Sequence, residues 1–119
     1  ACDYGVAAPH VKIGSYEVAV GVWPMVAQIP MIKRLGAKLA MENIGCGEPF
    51  PAERALEVGL VNRVEPAEKI RGAAEEWLTL AARGGASNVG RIAFYEFAEM
   101  TYDDGLDAAL SKFAAQFQK

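Results

Sequence analysis

Apolar and polar positions follow two rhythms along this chain, an extended one before Trp23 and a mostly helical one after it. In Ala1-Cys2-Asp3-Tyr4-Gly5-Val6-Ala7-Ala8 the apolar residues alternate loosely up to Pro9. Pro9 lacks an N–H and fixes φ, so the pattern predicts a short strand that stops in a turn at Ala8-Pro9-His10. From Val11 to Val22 the β-branched residues Val11, Ile13, Val18, Val20 and Val22 predict a return to extended structure and then a loop. Gly14 and Gly21 interrupt that run on either side of Glu17. Isolated glycines in a strand pattern mark bulges or close backbone approaches, so the acid is expected where the chain bends around a ligand.

A helix is expected to start at Trp23-Pro24, with Pro in the first turn where its missing N–H has no intrahelical partner to lose. Pro30 then predicts a kink or a break before Gly36. Ala37 to Ile44 reads as the next helix, stopped by Gly45 and Gly47, and Glu48-Pro49-Phe50-Pro51 as a rigid connector. Ala52 to Val58 reads as a short helix between Pro51 and Gly59, and Leu60 to Val64 as a short strand ended by Pro66. From Ala67 onward, Ile70, Ala73, Ala74, Trp77, Leu78 and Ala81 recur at the 3, 4, 7, 8 spacing of one buried helical face. Gly84-Gly85 ends that helix. Ser87 is expected to cap a further helix with the stripe Val89, Ile92, Ala93, Phe97 and Met100. Asp103 is expected to cap a last one with Leu106, Ala109, Leu110, Phe113 and Phe117. Three amphipathic helices in succession need a common surface to cover. With no internal repeat, the pattern describes a single α-rich α/β unit.

At 119 residues, 52% hydrophobic and 9% aromatic, the chain has the material for one core and no more than one domain. The net charge is −3 and the basic residues are scattered, which argues against bulk binding to nucleic acid or to an anionic membrane surface. Cys2 and Cys46 stand alone, without a second Cys or His at metal spacing, so reduced thiols in a cytoplasmic protein and no metal site are expected. No apolar run approaches the ~20 residues of a membrane span.

Glu17 is the first candidate for chemistry. It reads either as a carboxylate on the solvent face of a strand or as a partly desolvated acid among Val18, Val20, Val22 and Trp23. Desolvation would raise its pKa toward the range in which a general acid or base works. Tyr16 and Trp23 flank it, as core packing or as walls of a pocket. His10, in its expected turn, reads as a surface residue, and Cys46, between two glycines at a helix end, as an inert thiol. Asn62-Arg63 reads as the polar positions of a half-buried strand.

Three strings carry a resemblance that those residues alone do not. Ala1-Cys2-Asp3 with Ala7 resembles A-C-D-x-x-x-A. Lys12-Ile13-Gly14-Ser15-Tyr16-Glu17-Val18-Ala19-Val20-Gly21-Val22-Trp23-Pro24 is similar to x-F-G-x-P-E-V-x-x-G-x-x-P. Ala55-Leu56-Glu57-Val58-Gly59-Leu60-Val61-Asn62-Arg63-Val64 matches A-L-E-x-G-L-V-N-x-V. The three occur in the order in which the crotonase superfamily, the enoyl-CoA hydratases and isomerases, has them.

The resemblance implies the C-terminal, helix-rich half of a crotonase-like spiral fold of the α/β class. Residues 1–66 would be the end of the core, carrying the loop of the second acid, and residues 67–119 the C-terminal helical segment. The chain, opening on Ala1 inside an apolar segment, is expected to be a fragment. In this family a second Glu, a few residues before the A-C-D string, joins the acid at Glu17 to activate the water that adds to an enoyl-CoA. Earlier backbone N–H groups hold the thioester oxyanion. Both precede Ala1, so the fragment alone is expected to be inactive.

Glu17 is thus the implied catalytic residue, and Tyr16, Trp23, Pro24, Met25 and Lys112 the implied substrate-binding residues. A Lys similar to Lys112 reaches CoA phosphates bound in a neighbouring subunit, whereas an ordinary helix Lys would simply be solvated. After Pro24 the common family string G-A-G-G-T-Q-R-L is replaced by Met25-Val26-Ala27-Gln28-Ile29-Pro30. Met25 can still supply a backbone N–H, while the bulkier side chains reshape the acyl pocket. The resemblance further implies a lyase of fatty-acid metabolism with no cofactor beyond the CoA of its substrate, working as a trimer or dimer of trimers. Isomerases and acyl-CoA hydrolases share the scaffold, and a non-catalytic helical assembly module is the reading from another class.

Overall fold

Among the described residues strand pairing is confined to four two-residue pieces: β1 (Val6–Ala7), β2 (Lys12–Ile13), β3 (Phe50–Pro51) and β4 (Arg63–Val64). The computed structural model describes residues 2–118; Ala1, the first residue of the first expected strand, lies outside the described residues. β1 runs parallel to β4, with Val6 opposite Arg63 and Ala7 opposite Val64. β2 runs antiparallel to β3, with Lys12 opposite Pro51 and Ile13 opposite Phe50. Asn62 closes the first pair: its Oδ1 accepts the Gly5 N–H at 2.8 Å, and its own N–H donates to the Gly5 carbonyl at 2.8 Å. This polar position of the expected strand is therefore a backbone partner.

Among the described residues there are six α-helices: α1 (Gln28–Leu35), α2 (Ala37–Ile44), α3 (Ala52–Glu57), α4 (Ile70–Ala81), α5 (Ser87–Ala98) and α6 (Tyr102–Ala115). The chain divides into two compact units, one up to Glu76 and one from Trp77 on.

In the first unit the extended stretch expected from Val11 to Val22 stops at Ile13, and Glu17–Val20 form a turn of 3-10 helix. The β-branched residues of that stretch lack a neighbouring strand to pair with, and a single helical turn satisfies their backbone locally. The helix expected from Trp23 begins only at Gln28. Pro30 consequently falls in its first turn, where no hydrogen bond is lost, and the expected kink is absent. The helices at Ala37–Ile44 and Ala52–Glu57 lie where the pattern placed them. The strand expected over Leu60 to Val64 shrinks to two residues, because the N–H groups of Leu60 and Val61 both turn back onto the Ala55 carbonyl.

The core of this unit is Ala7, Phe50, Ala55 and Val61, packed against Val11, Ile13, Met31, Leu35, Val58, Leu60 and Val64. Phe50 is 3% exposed, and burying such a side chain contributes about 1.5–3 kcal/mol. Arg54 of α3 grips Glu42 of α2 with two bonds of 2.7 and 3.1 Å and reaches Glu57 at 3.0 Å. The Arg54 guanidinium bonded to it draws the Glu42 carboxyl below its ordinary range.

α4 is preceded by a 3-10 turn at Ala67–Lys69, and Ala73 on its apolar face is buried. In the second unit α5 starts after Ala86, without a side-chain cap. The expected cap, Ser87, is instead the first helical residue, and its hydroxyl donates to the Ala81 carbonyl at 2.8 Å. The cap expected at Asp103 is supplied by Thr101, whose hydroxyl accepts the Asp104 N–H. Thr101 has the extended backbone that a cap requires, and Asp103 already lies in the first turn, where its charge favours the helix dipole. Neither α5 nor α6 buries a residue. Val89, Ile92, Leu106, Leu110, Phe113 and Phe117 are each more than half exposed.

Candidate active site

Glu17 owes its position to the two residues before it. Ser15 is buried and Tyr16 is exposed. The Ser15 hydroxyl donates to Glu17 Oε2, and the Tyr16 N–H donates to the same oxygen at 2.9 Å. Glu17 then opens the 3-10 turn, which ends at Gly21, and its carbonyl accepts the Val22 N–H at 2.9 Å. The carboxylate is half-buried at the start of this turn rather than on a strand.

The electrostatics reverse the expectation that desolvation raises the pKa of Glu17. The Ser15 hydroxyl above all, then the residue's own N–H and that of Tyr16, favour the charged form and outweigh the upward push of burial. The group is held below its ordinary value of 4.5. At neutral pH it is therefore an ionised carboxylate, suited to accept a proton before it gives one. Both hydrogen bonds fall on Oε2, so Oε1 takes no part in them.

Ser15 is in turn held by Asn43, a residue that the reading of the sequence passed over. Asn43 is fully buried on α2. Its Oδ1 accepts the Ser15 N–H at 2.7 Å, and its Nδ2 donates to the Ser15 carbonyl at 2.9 Å and to the Glu48 carbonyl at 2.8 Å. A Cβ on Gly14 would stand 2.6 Å from Asn43 Oδ1, and φ there is +148°, so the approach depends on glycine. The signal in the sequence was a lone amide between Ala40 and Ile44 on the apolar face of α2, where a polar residue needs partners.

The remaining substrate-binding candidates of this unit flank the turn, Tyr16 before it and Trp23, Pro24 and Met25 after it. Tyr16 is 59%, Trp23 41% and Met25 67% exposed, so none of the three is core, whereas Pro24 is buried. Trp23 Nε1 donates to Gln28 Oε1 at 2.9 Å, and Gln28 Nε2 donates to the Met25 carbonyl at 3.0 Å. This clip ties residues 23–27 to the first residue of α1. The Met25 N–H, expected to be on offer, donates to the Trp23 carbonyl at 2.9 Å. Val20, Val22 and Val26 are also exposed, giving this stretch an apolar character.

Lys112 lies in the second unit. Its ammonium pairs with Glu96 at 2.7 Å and sits 5.8 Å from the centre of the Phe97 ring, so it is neither bare nor aimed purely at water. His10 is exposed, as expected; Cys46 is exposed too, and its thiol rests on the Glu42 carbonyl at 3.2 Å. Among the described residues no three His, Cys, Asp or Glu side chains gather as metal ligands. No helix among them is long and apolar enough to cross a membrane.

A family model described as enoyl-CoA hydratase/isomerase matches residues 1–115. Among solved structures, an enoyl-CoA hydratase from Mycobacterium smegmatis superposes with a TM-score of 0.90 at 24% identity, covering 99% of this chain and 47% of its own. An enoyl-CoA hydratase from Bacillus anthracis gives 0.85 at 24% identity, covering 95% and 45%. DspI of Pseudomonas aeruginosa gives 0.85 at 26% identity, covering 99% and 46%. The chain thus spans about half the length of the structures it matches.

Proposed function

We propose that this chain, which belongs to the enoyl-CoA hydratase/isomerase family, carries one of the two proton-handling carboxylates of an enzyme that adds water to an α,β-unsaturated acyl-CoA. The observation that supports this reading is the state of Glu17. Its carboxylate is held ionised by two donors on one oxygen and is followed along the chain by the exposed apolar segment that includes Trp23 and Met25.

In the proposed step Glu17 accepts a proton from a water molecule as the water oxygen bonds to the β-carbon. The electron pair of the double bond moves toward the thioester carbonyl, and the α-carbon takes a proton from a second acid, which in this reading lies outside residues 1–119. Donors to the thioester oxyanion are likewise assigned outside the chain, in keeping with a Met25 N–H that is already committed to Trp23. Tyr16, Trp23 and Pro24 would border the acyl group, and Lys112 would meet the phosphates of CoA bound in a neighbouring subunit.

The test is Glu17→Gln in the full-length protein that carries this chain. The substitution keeps size and hydrogen-bonding capacity and removes the base. It should lower kcat for hydration of crotonyl-CoA or a bulkier enoyl-CoA by a factor of about 10²–10⁴ with little change in KM. Near-wild-type kcat, on a substrate that the parent protein turns over efficiently, would remove Glu17 from the mechanism.

A further inference from the structure

We propose that Asn43 is a positioning residue for Glu17, acting through Ser15, whose hydroxyl it aims at the Glu17 carboxylate. The inference rests on the reading of Glu17 as a proton acceptor and adds to it a residue that never meets substrate. One side-chain amide takes both backbone groups of Ser15, at 2.7 and 2.9 Å, in the manner of a neighbouring peptide. Holding the N–H and the carbonyl of one residue together fixes its backbone, and with it the direction in which the Ser15 hydroxyl points, which is at Glu17 Oε2.

The third bond of Asn43, to the Glu48 carbonyl, ties the chain beyond Gly47 to the same point. Gly47 faces the Ala19 N–H and the Tyr16 carbonyl, so Asn43 anchors both the residue before the Glu17 turn and the loop that backs it. An apolar residue would suit the face shared by Ala40 and Ile44 better, but it would leave two buried backbone groups of Ser15 without partners. Among the described residues no buried side-chain nitrogen or oxygen lacks a partner, so the Asn43 amide is wholly engaged in this clamp.

The mechanism makes a specific demand. Losing the Ser15 hydroxyl removes the main influence that favours the Glu17 carboxylate, so its titration midpoint must rise and the acid limb of the rate profile must move to higher pH. Losing Asn43 must do the same, because the hydroxyl is no longer aimed. Losing both must do no more than losing Ser15 alone, since the two lie on one path.

The experiment follows the Glu17 carboxyl by 13C NMR as a function of pH, in the full-length protein and in its Ser15→Ala, Asn43→Leu and double variants. The resonance is assigned by its absence in Glu17→Gln. Hydration of crotonyl-CoA is measured over the same pH range. The expected result is a raised midpoint in each single variant, no further rise in the double variant, and kcat at the acid end about tenfold or more below wild type, with KM little changed.

If a melt shows that Asn43→Leu does not fold, Asn43→Ala, which leaves room for water to meet the freed backbone groups, takes its place. An unmoved midpoint in Ser15→Ala or in the Asn43 variant overturns the proposal, as does an Asn43 shift that adds in full to that of Ser15. Activity retained by Glu17→Gln would instead end the proton-acceptor reading. The NMR midpoints would still decide whether Asn43 orders the carboxylate.

Discussion

Replacing Gly47 by Ala should destabilise the first unit more than the same replacement at Gly59, by an amount that the contacts around each position set. Both glycines have left-handed backbones, with φ of +72° and +81°. An L-residue there pays about 1–2 kcal/mol for conformation alone. At Gly59 nothing lies within 4 Å of the added Cβ, so that cost is the whole effect. At Gly47 the Cβ would stand 2.6 Å from the Ala19 nitrogen, 3.1 Å from the Tyr16 oxygen and 3.2 Å from Ala19 Cβ. Two of these are backbone atoms that cannot rotate aside. The 3-10 turn that Glu17 opens must therefore shift, and overpacking of this kind typically adds about 1–3 kcal/mol. The total at Gly47 is about 2–5 kcal/mol, against about 1–2 at Gly59. Urea unfolding of the full-length protein and the two variants, read at equal m-values, measures both. If Gly47→Ala proves no more destabilising than Gly59→Ala, the close approach of the two loops is refuted, and with it the account of how Glu17 is held.

Lys112→Ala should raise KM for an acyl-CoA several-fold and leave kcat within about twofold, since a remote phosphate contact binds ground and transition states alike. The Glu96 pair that it also breaks is exposed and worth only about 0–1 kcal/mol, so a large loss of stability would contradict that picture. Residues 1–119 prepared alone, free of host hydratase, should show no turnover of crotonyl-CoA, because the proposed mechanism assigns the second acid and the oxyanion donors to other residues; measurable turnover would disprove it. The exposed stripes on α5 and α6 should drive self-association, so sedimentation showing a strictly monomeric full-length protein would count against the assembly reading.

The parts of the fold that were legible are those in which a local rule and the tertiary packing agree. Ala37–Ile44, Ala52–Glu57 and Ile70–Ala81 have apolar spacing and end signals that a helix satisfies by itself, and they form as read. Of the strand and loop expected from Val11 to Val22, the strand is shorter than read, for a physical reason. β-branched residues favour strands only where a neighbouring strand supplies hydrogen bonds, and beyond Ile13 none is paired with this segment. Proline was misread through the same gap. Once the chain stays irregular to Ala27, held by the Trp23–Gln28 clip, Pro30 moves from a helix interior into a first turn, and what looked like a breaker becomes compatible with the helix start.

At the site, the string singles out Glu17 as the candidate, but neither the 3-10 turn that carries it nor its charge state is legible there. Apolar neighbours in sequence suggested desolvation, yet in the folded chain Val20 and Val22 point largely outward, at 78% and 56% exposure, and shield the carboxylate little. The donors on Glu17 come from Ser15 and Tyr16, at spacings of two and one that carry no periodic signature. What aims Ser15 lies 28 residues away, on a helix whose apolar stripe Asn43 interrupts. A lone amide on such a stripe is the trace that a distant hydrogen-bond clamp leaves in a sequence, because burial without partners would cost it about 1–3 kcal/mol. Its three bonds here go to the backbone around the catalytic candidate rather than to another side chain. The polarity of Asn43 therefore serves the geometry of Glu17, and substitutions at Asn43 should be read first in the titration of that carboxylate and only then in stability.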